Sequence, residues 1–304
     1  MIWLNGQLVP AAEASVSVLD RGLLYGDGLF ETMCVRLPVG KRTQGHVFRL
    51  DAHLERLAAG CAELSIELPF PPDQLAEAVQ ATVEANSLGE ASVRLTVTRG
   101  VGGKRLDAGE EQAPTVIIRA AACAGYPPET YERGLRVLLA KGRRNERSPT
   151  SRLKTLNCLD SVLARLEARR AGADDALWLN TSGQLACLTA ANLFVALGPE
   201  VYTPPVSCGV LPGITRQCVL ELLAAEGVTV RQQGLAANAQ GLGMGGESIP
   251  WQEVSELLAT NSLMGVAPVV EVERRPVGSG RPGPLARRLR QMYELVLRGD
   301  RESG

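Results

Sequence analysis

Lys154, in the stretch Ser151-Arg-Leu-Lys-Thr-Leu-Asn157, stands directly before a helix-like run. An amine in a basic loop is ordinarily a solvated charge. Held in a pocket, it becomes a nucleophile and a proton carrier, provided desolvation or neighbouring cations depress its pKa. Arg143, Arg144, Arg147 and Arg152 bring positive charge to the same loop, and equally suit an exposed patch. Gly213-Ile-Thr215 opens a helical run, where free N–H groups and the positive end of the dipole suit an anion. The same residues also serve as a plain helix cap. Thr260-Asn-Ser262, at a strand end, offers hydroxyl and amide donors, and Arg56 has the fork that grips two phosphate oxygens or sits solvated on a helix. The Gly-rich stretch Leu242 to Glu247 lacks a leading strand, a βαβ unit and a GK[ST] element, and reads as a flexible insertion. His46 and His53 are the two histidines, and no serine lies in a G-x-S-x-G context, against a serine hydrolase. Seven scattered cysteines without CxxC or zinc spacing imply no metal centre.

The elements that must position these groups alternate irregularly. Ile2 to Val9 is a hairpin turning at Asn5-Gly6. Asp20 to Glu31 carries three glycines, which fit either close approach to a ligand or a tight crossover, and leads into a strand at 32–36. Leu50, Leu54, Leu57, Ala58, Cys61 and Leu64 form a helical stripe, with His53 and Arg56 off it. A second helix covers 73–85, and strands at 91–98 and 115–119 flank the charged loop 99–105. Strands follow at 135–140, 175–179, 185–188, 193–196, 228–231, 255–260 and 268–272, with helices at 157–171, from 213 to about 225, and at 285–297. This is an α+β pattern in two domains rather than a doubly wound sheet. The expected division is a smaller domain at 1–122, a linker at 123–133 that contains Pro127-Pro128, and a larger domain at 134–304.

Bulk composition excludes several classes. A 45% hydrophobic and 21% charged content is that of a soluble globular protein, and a net charge of −1 gives no reason for nucleic-acid or membrane partners. No apolar run approaches the roughly 20 residues of a spanning helix, and no secretory leader is visible. With no export signal the cysteines read as reduced thiols, which places the protein in the cytoplasm.

Taken together, the segments Leu4-Asn-Gly6, Asp20 to Glu31, His53-Leu-Glu-Arg56, Arg94 to Gly100, Lys154 to Asn157, Asn192-Leu-Phe194, Thr203-Pro204, Gly209 to Arg216, Asn261-Ser262 and Pro268-Val269 resemble the fold type IV pyridoxal-phosphate enzymes. This is the D-amino acid aminotransferase-like architecture, shared by branched-chain aminotransferases and aminodeoxychorismate lyases. The resemblance implies pyridoxal 5′-phosphate as cofactor, a small-molecule substrate and a homodimer. It makes Lys154 the Schiff-base lysine and catalytic base. Arg56, the turn at Gly213, Ile214 and Thr215, and Asn261 with Ser262 would hold the cofactor phosphate. Phe30, Arg99 and Leu263 would face substrate, with Lys104 or Arg105 as further partners for its carboxylates.

One position departs from that pattern. The family usually writes G-x-V-x-E after the strand turn, and its glutamate meets the pyridine nitrogen; here Gly183-Gln-Leu-Ala-Cys187 places a cysteine there. A neutral thiol is a weak donor and leaves the nitrogen mostly unprotonated, so the ring becomes a poorer electron sink. Within the family, Arg99 to Lys104 and Thr260 to Val269 look most like aminodeoxychorismate lyases. The expected reaction is conversion of 4-amino-4-deoxychorismate to 4-aminobenzoate and pyruvate. The alternatives are an aminotransferase for D- or branched-chain amino acids, or a cofactor-binding protein whose activity Cys187 has altered or abolished.

Overall fold

The computed structural model describes residues 1–38, 45–103, 105–107, 109, 113–244 and 246–299. Two compact units emerge, one mainly Met1–Ala124 with Leu153–Asn157, the other Gly125–Arg152 with Cys158–Val296.

The first unit contains β1 (Ile2–Leu4), β2 (Gln7–Val9), α1 (Arg21–Tyr25), β3 (Gly28–Arg36), β4 (His46–Val47), α2 (Leu50–Glu63), α3 (Pro72–Ala85), β5 (Ala91–Thr98) and β6 (Thr115–Ala122). Its six strands form one antiparallel sheet in the order β2-β1-β6-β5-β3-β4. Side chains alternate between faces along a strand. Leu29, Met33 and Val35 of β3 therefore share a core with Val93, Leu95 and Val97 of β5, Leu54 and Leu57 of α2, and Leu75 and Val79 of α3. Each such side chain contributes about 1.5–3 kcal/mol by leaving water. The short α1 falls in the stretch read as either a ligand approach or a crossover; Asp20 caps it by accepting from the Gly22 N–H.

The second unit contains α4 (Glu129–Glu132), β7 (Leu135–Leu139), α5 (Leu159–Arg170), β8 (Asp175–Leu179), β9 (Leu185–Leu188), β10 (Asn192–Leu197), β11 (Glu200–Thr203), α6 (Ile214–Ala225), β12 (Val230–Gln232), β13 (Ala236–Ala237), β14 (Gly241–Met244), β15 (Glu247–Pro250), β16 (Glu256–Asn261), β17 (Gly265–Val272), β18 (Arg275–Pro276) and α7 (Pro284–Leu297). Nine strands form a mixed sheet, β12-β11-β10-β16-β17-β7-β8-β9 with β18 on β17. The segment read as a linker holds α4, whose Tyr131 hydroxyl donates to the Met264 carbonyl.

The Gly-rich segment is a correction. Instead of a loose insertion, β14 and β15 pair as an antiparallel hairpin that β13 extends to three strands. Leu242 is buried in the core and Ile249 packs against it, so two apolar anchors outweigh the weak strand propensity of glycine. Gly245 lies outside the described residues. Among the described residues no helix is long and apolar enough to cross a membrane.

Candidate active site

The Lys154 segment is stitched to β3. The Phe30 N–H donates to the Lys154 carbonyl at 2.9 Å and the Leu156 N–H to the Gly28 carbonyl at 3.0 Å, extending the sheet beside the first residues of β3. Gly28 permits this approach: a Cβ there would lie 2.4 Å from the Val97 oxygen and 2.9 Å from Leu156 Cδ1. The half-buried Lys154 directs Nζ over the Phe30 ring at 4.5 Å, and the exposed Arg94 stacks on the same ring with Cζ at 3.7 Å. Phe30, expected to face substrate, is therefore the apolar seat of two cations.

On the other face of β3, Glu31 occupies a core position between Leu29 and Met33 and is 1% exposed. A lone carboxylate there would be costly. It accepts from Arg56 Nε at 2.8 Å and Arg56 Nη2 at 2.7 Å, and from His53 Nδ1 at 2.7 Å. His53 and Arg56 are one helical turn apart on α2, so both reach it. Burial pushes the Glu31 carboxyl up, but the hydrogen bonds from His53 and Arg56 and the Arg56 charge hold it at about 2. Burial pushes the His53 imidazole down against the pull of Glu31, which leaves a neutral ring whose Nδ1 carries the donated proton. His53, expected off the apolar stripe, is thus fully buried, and Arg56 is anchored rather than solvated.

Arg99, expected to face substrate, is held by its neighbours within the first unit. Its Nε and Nη2 bind Asp27 at 2.8 and 3.1 Å, and its Nη1 and Nη2 reach the carbonyls of Ser65 and Leu64. Burial opposes ionisation of Asp27, but Arg99 and Arg21 together keep its pKa below the ordinary value. A guanidinium bound to a carboxylate and two carbonyls ties α2's C-terminal turn to the start of β3. Lys104 lies outside the described residues. Arg105 is exposed and its carbonyl accepts from Arg21.

In the second unit, Gly213 precedes α6 as its N-cap without a side-chain cap, leaving the first-turn amides of Ile214 and Thr215 oriented as donors. A Cβ at Gly213 would lie 2.0 Å from Asn192 Oδ1, and Asn192 donates from Nδ2 to the Leu211 carbonyl, so the turn is braced from β10. Thr215 is 2% exposed, with its hydroxyl 3.4 Å from that of Tyr293. Thr260 is buried, and its Oγ1 has no partner among the described residues. Asn261, expected at the cofactor, uses its side chain within the turn: its Oδ1 accepts from Leu263 and Met264, and its Nδ2 donates to the Ala190 carbonyl. Its side chain builds the turn that presents the half-buried Ser262 and Leu263.

Cys187 lies on β9 in a cluster with Ala140, Ala164, Ala168, Ala176, Trp178 and Cys208. Burial pushes its thiol up, the charge of Arg144 opposes this and that of Asp175 adds to it. The thiol is therefore neutral at physiological pH. Arg144 is itself tied to the carbonyls of Gly209 and Ser151, both at 2.7 Å.

These groups fit most of what pyridoxal phosphate demands. An uncapped helix start and an orphaned buried hydroxyl are donors suited to a phosphate, and a half-buried amine against an aromatic ring suits an aldehyde. The one poor match is Cys187, which the resemblance sets against the ring nitrogen: it is a neutral thiol, and that nitrogen is served best by a carboxylate. Among the described residues no group of three or more histidine, cysteine or acidic side chains is placed to hold a metal. Sequence reading did not single out Glu31, Arg94 or Asn192, whose contacts with Arg56, Phe30 and the Gly213 turn appear only in the structure. Only Glu31 carried its own signal, a charge at a position where β3 alternation calls for an apolar side chain.

The family description Amino-transferase class IV matches residues 28–272. A Methanocaldococcus jannaschii protein provisionally named a branched-chain-amino-acid aminotransferase is 33% identical over 298 residues, covering 97% of this chain and 96% of that protein. The solved branched-chain amino acid aminotransferase of Escherichia coli superposes with a TM-score of 0.90 at 27% identity, over 99% of this chain and 96% of that one. The branched-chain amino acid aminotransferase of T.th., complexed with N-(5′-phosphopyridoxyl)-L-glutamate, gives 0.88 at 29% identity, over 99% and 94%. The chain therefore belongs to the class IV aminotransferase family, as a pyridoxal-phosphate enzyme of fold type IV.

Proposed function

We propose that this chain is an aminotransferase that passes the amino group of a branched-chain amino acid to a 2-keto acid, with Lys154 as its proton carrier. The observation that carries this reading is likeness along the whole chain to branched-chain aminotransferases. The glutamate adduct held by the T.th. protein supports 2-oxoglutarate as the acceptor. Bound pyridoxal phosphate supplies an electron sink for the electron pair left when the substrate α-proton departs. Lys154 takes that proton and returns it, and its seat on Phe30 limits the directions its amine can take. We assign Arg56, Gly213, Ile214, Thr215 and Ser262 to the cofactor phosphate, and Phe30 and Leu263 to the substrate side. Arg94, which shares the Phe30 ring with Lys154, is the cation we assign to a substrate carboxylate.

The purified chain with pyridoxal phosphate is expected to form glutamate from leucine, isoleucine or valine only when 2-oxoglutarate is added. Pyruvate release from 4-amino-4-deoxychorismate without a keto acid would contradict this and favour the lyase. Cofactor binding without either turnover would mean that activity has been lost.

We further propose that the protein is a homodimer of this chain. Along α5, Leu159, Val162, Leu163 and Leu166 are exposed at helical spacing, with Leu159 at 68% and Leu163 at 53%. An apolar stripe of this kind suits a self-complementary helix contact. Light scattering should give twice the chain mass for the parent and the chain mass for L163D/L166D. A parent that runs as a monomer sinks the proposal.

A further inference from the structure

We propose that Glu31 is a positioning residue that fixes the guanidinium plane of Arg56 and thereby sets the grip on the cofactor phosphate. The inference rests on the assignment of Arg56 to that phosphate. A guanidinium held by one hydrogen bond can rotate about it; two parallel bonds to one carboxylate fix its plane. Glu31 makes such a pair through Nε and Nη2 at 2.8 and 2.7 Å. The carboxylate is itself immobilised, because it projects from the core face of β3 at 1% exposure and accepts a third bond from buried His53. The fork therefore inherits the rigidity of the sheet rather than that of a long, rotamer-rich side chain.

The neighbouring residue on the same strand performs the matching task for the lysine. Phe30 binds the Lys154 carbonyl through its N–H and seats the amine on its ring. Successive residues point to opposite faces of a strand, so residue 30 fixes Lys154 while residue 31 fixes Arg56. The separation between the amine and the guanidinium is thus referenced to one peptide unit of β3. Glu31 acts through Arg56 and touches neither cofactor nor substrate.

The test is a binding cycle on the full chain with E31Q, R56M, E31Q/R56M and E31D, in which affinity for pyridoxal phosphate and for pyridoxal is measured by equilibrium dialysis. E31Q should weaken pyridoxal phosphate about tenfold, the scale of one lost charge-assisted hydrogen bond. It should leave pyridoxal, which lacks the phosphate, unchanged. In the R56M background E31Q should cost nothing further, and E31D, which keeps the charge on a shorter arm, should fall between parent and E31Q. Equal weakening of both ligands would mean that Glu31 is merely structural and would overturn the inference. So would additive losses, or unchanged affinity in E31Q beside weakened affinity in R56M. If R56M itself binds pyridoxal phosphate like the parent, the assignment of Arg56 fails first. Should E31Q not fold, the E31D comparison between the two ligands decides alone.

Discussion

Replacing Lys154 with alanine should lower the rate of transamination by about a thousandfold or more, the scale of losing a positioned general acid–base group. The chain contains four lysines, at 41, 104, 141 and 154. Two of them lie within the described residues. Lys141 is a surface ion-pair partner, 82% exposed and 3.3 Å from Glu167. Lys154 is half-buried, carries its amine over an aromatic ring and is locked to β3 through its carbonyl. Arginine cannot substitute, since a guanidinium does not give up its proton near neutrality. K154R should therefore be as inactive as K154A. The backbone bonds that hold the segment survive both substitutions, so the melting temperature should change little. Steady-state rates beside thermal unfolding check this, and a K154A protein retaining a tenth of parental turnover would refute it.

The second large effect is expected at Cys187. Replacing the thiol with glutamate would set a carboxylate where we place the cofactor ring nitrogen. An opposite charge within a few ångströms shifts a pKa by about 1–3 units, so the protonated fraction of that nitrogen should rise about 10- to 1000-fold at a pH above its pKa. The ring becomes a stronger electron sink, and kcat for transamination should rise. The pH at which the bound-cofactor spectrum changes should move upward. Arg144, whose charge already bears on this position, is a ready counter-ion for the new group. The packed cluster around Cys187 will resist the larger side chain, so some stability is lost. C187A separates the two influences: it should match the parent in spectrum and rate, because a neutral thiol contributes little. A C187E protein identical to the parent in both would place the ring nitrogen elsewhere.

Much of the fold was legible because it rests on short-range signals. The period of Leu54, Leu57 and Cys61 marked α2, and Asn5-Gly6 marked the first hairpin. The Gly213–Thr215 helix start was readable from the glycine and threonine that open an apolar helical run. What could not be read was pairing across the chain. Lys154 meets β3 more than a hundred residues upstream, and nothing in its own stretch encodes that contact. Arg99 shows the same limit from the other side. Its sequence context offers a free cation, and only the fold brings Asp27 and the carbonyls of Leu64 and Ser65 to neutralise it. The β14–β15 hairpin was hidden because its glycines mimic a loop, while Leu242 and Ile249 supply the burial that orders it.

The role given to Lys154 can be read from the point at which the cofactor becomes attached. Reduction of the loaded enzyme with borohydride, followed by peptide mass spectrometry, marks the lysine that carries the ring. With only four lysines in the chain the result is unambiguous. A single pyridoxyl mark is expected on the peptide containing Lys154. A mark on Lys41, Lys104 or Lys141, or no mark at all, would contradict it.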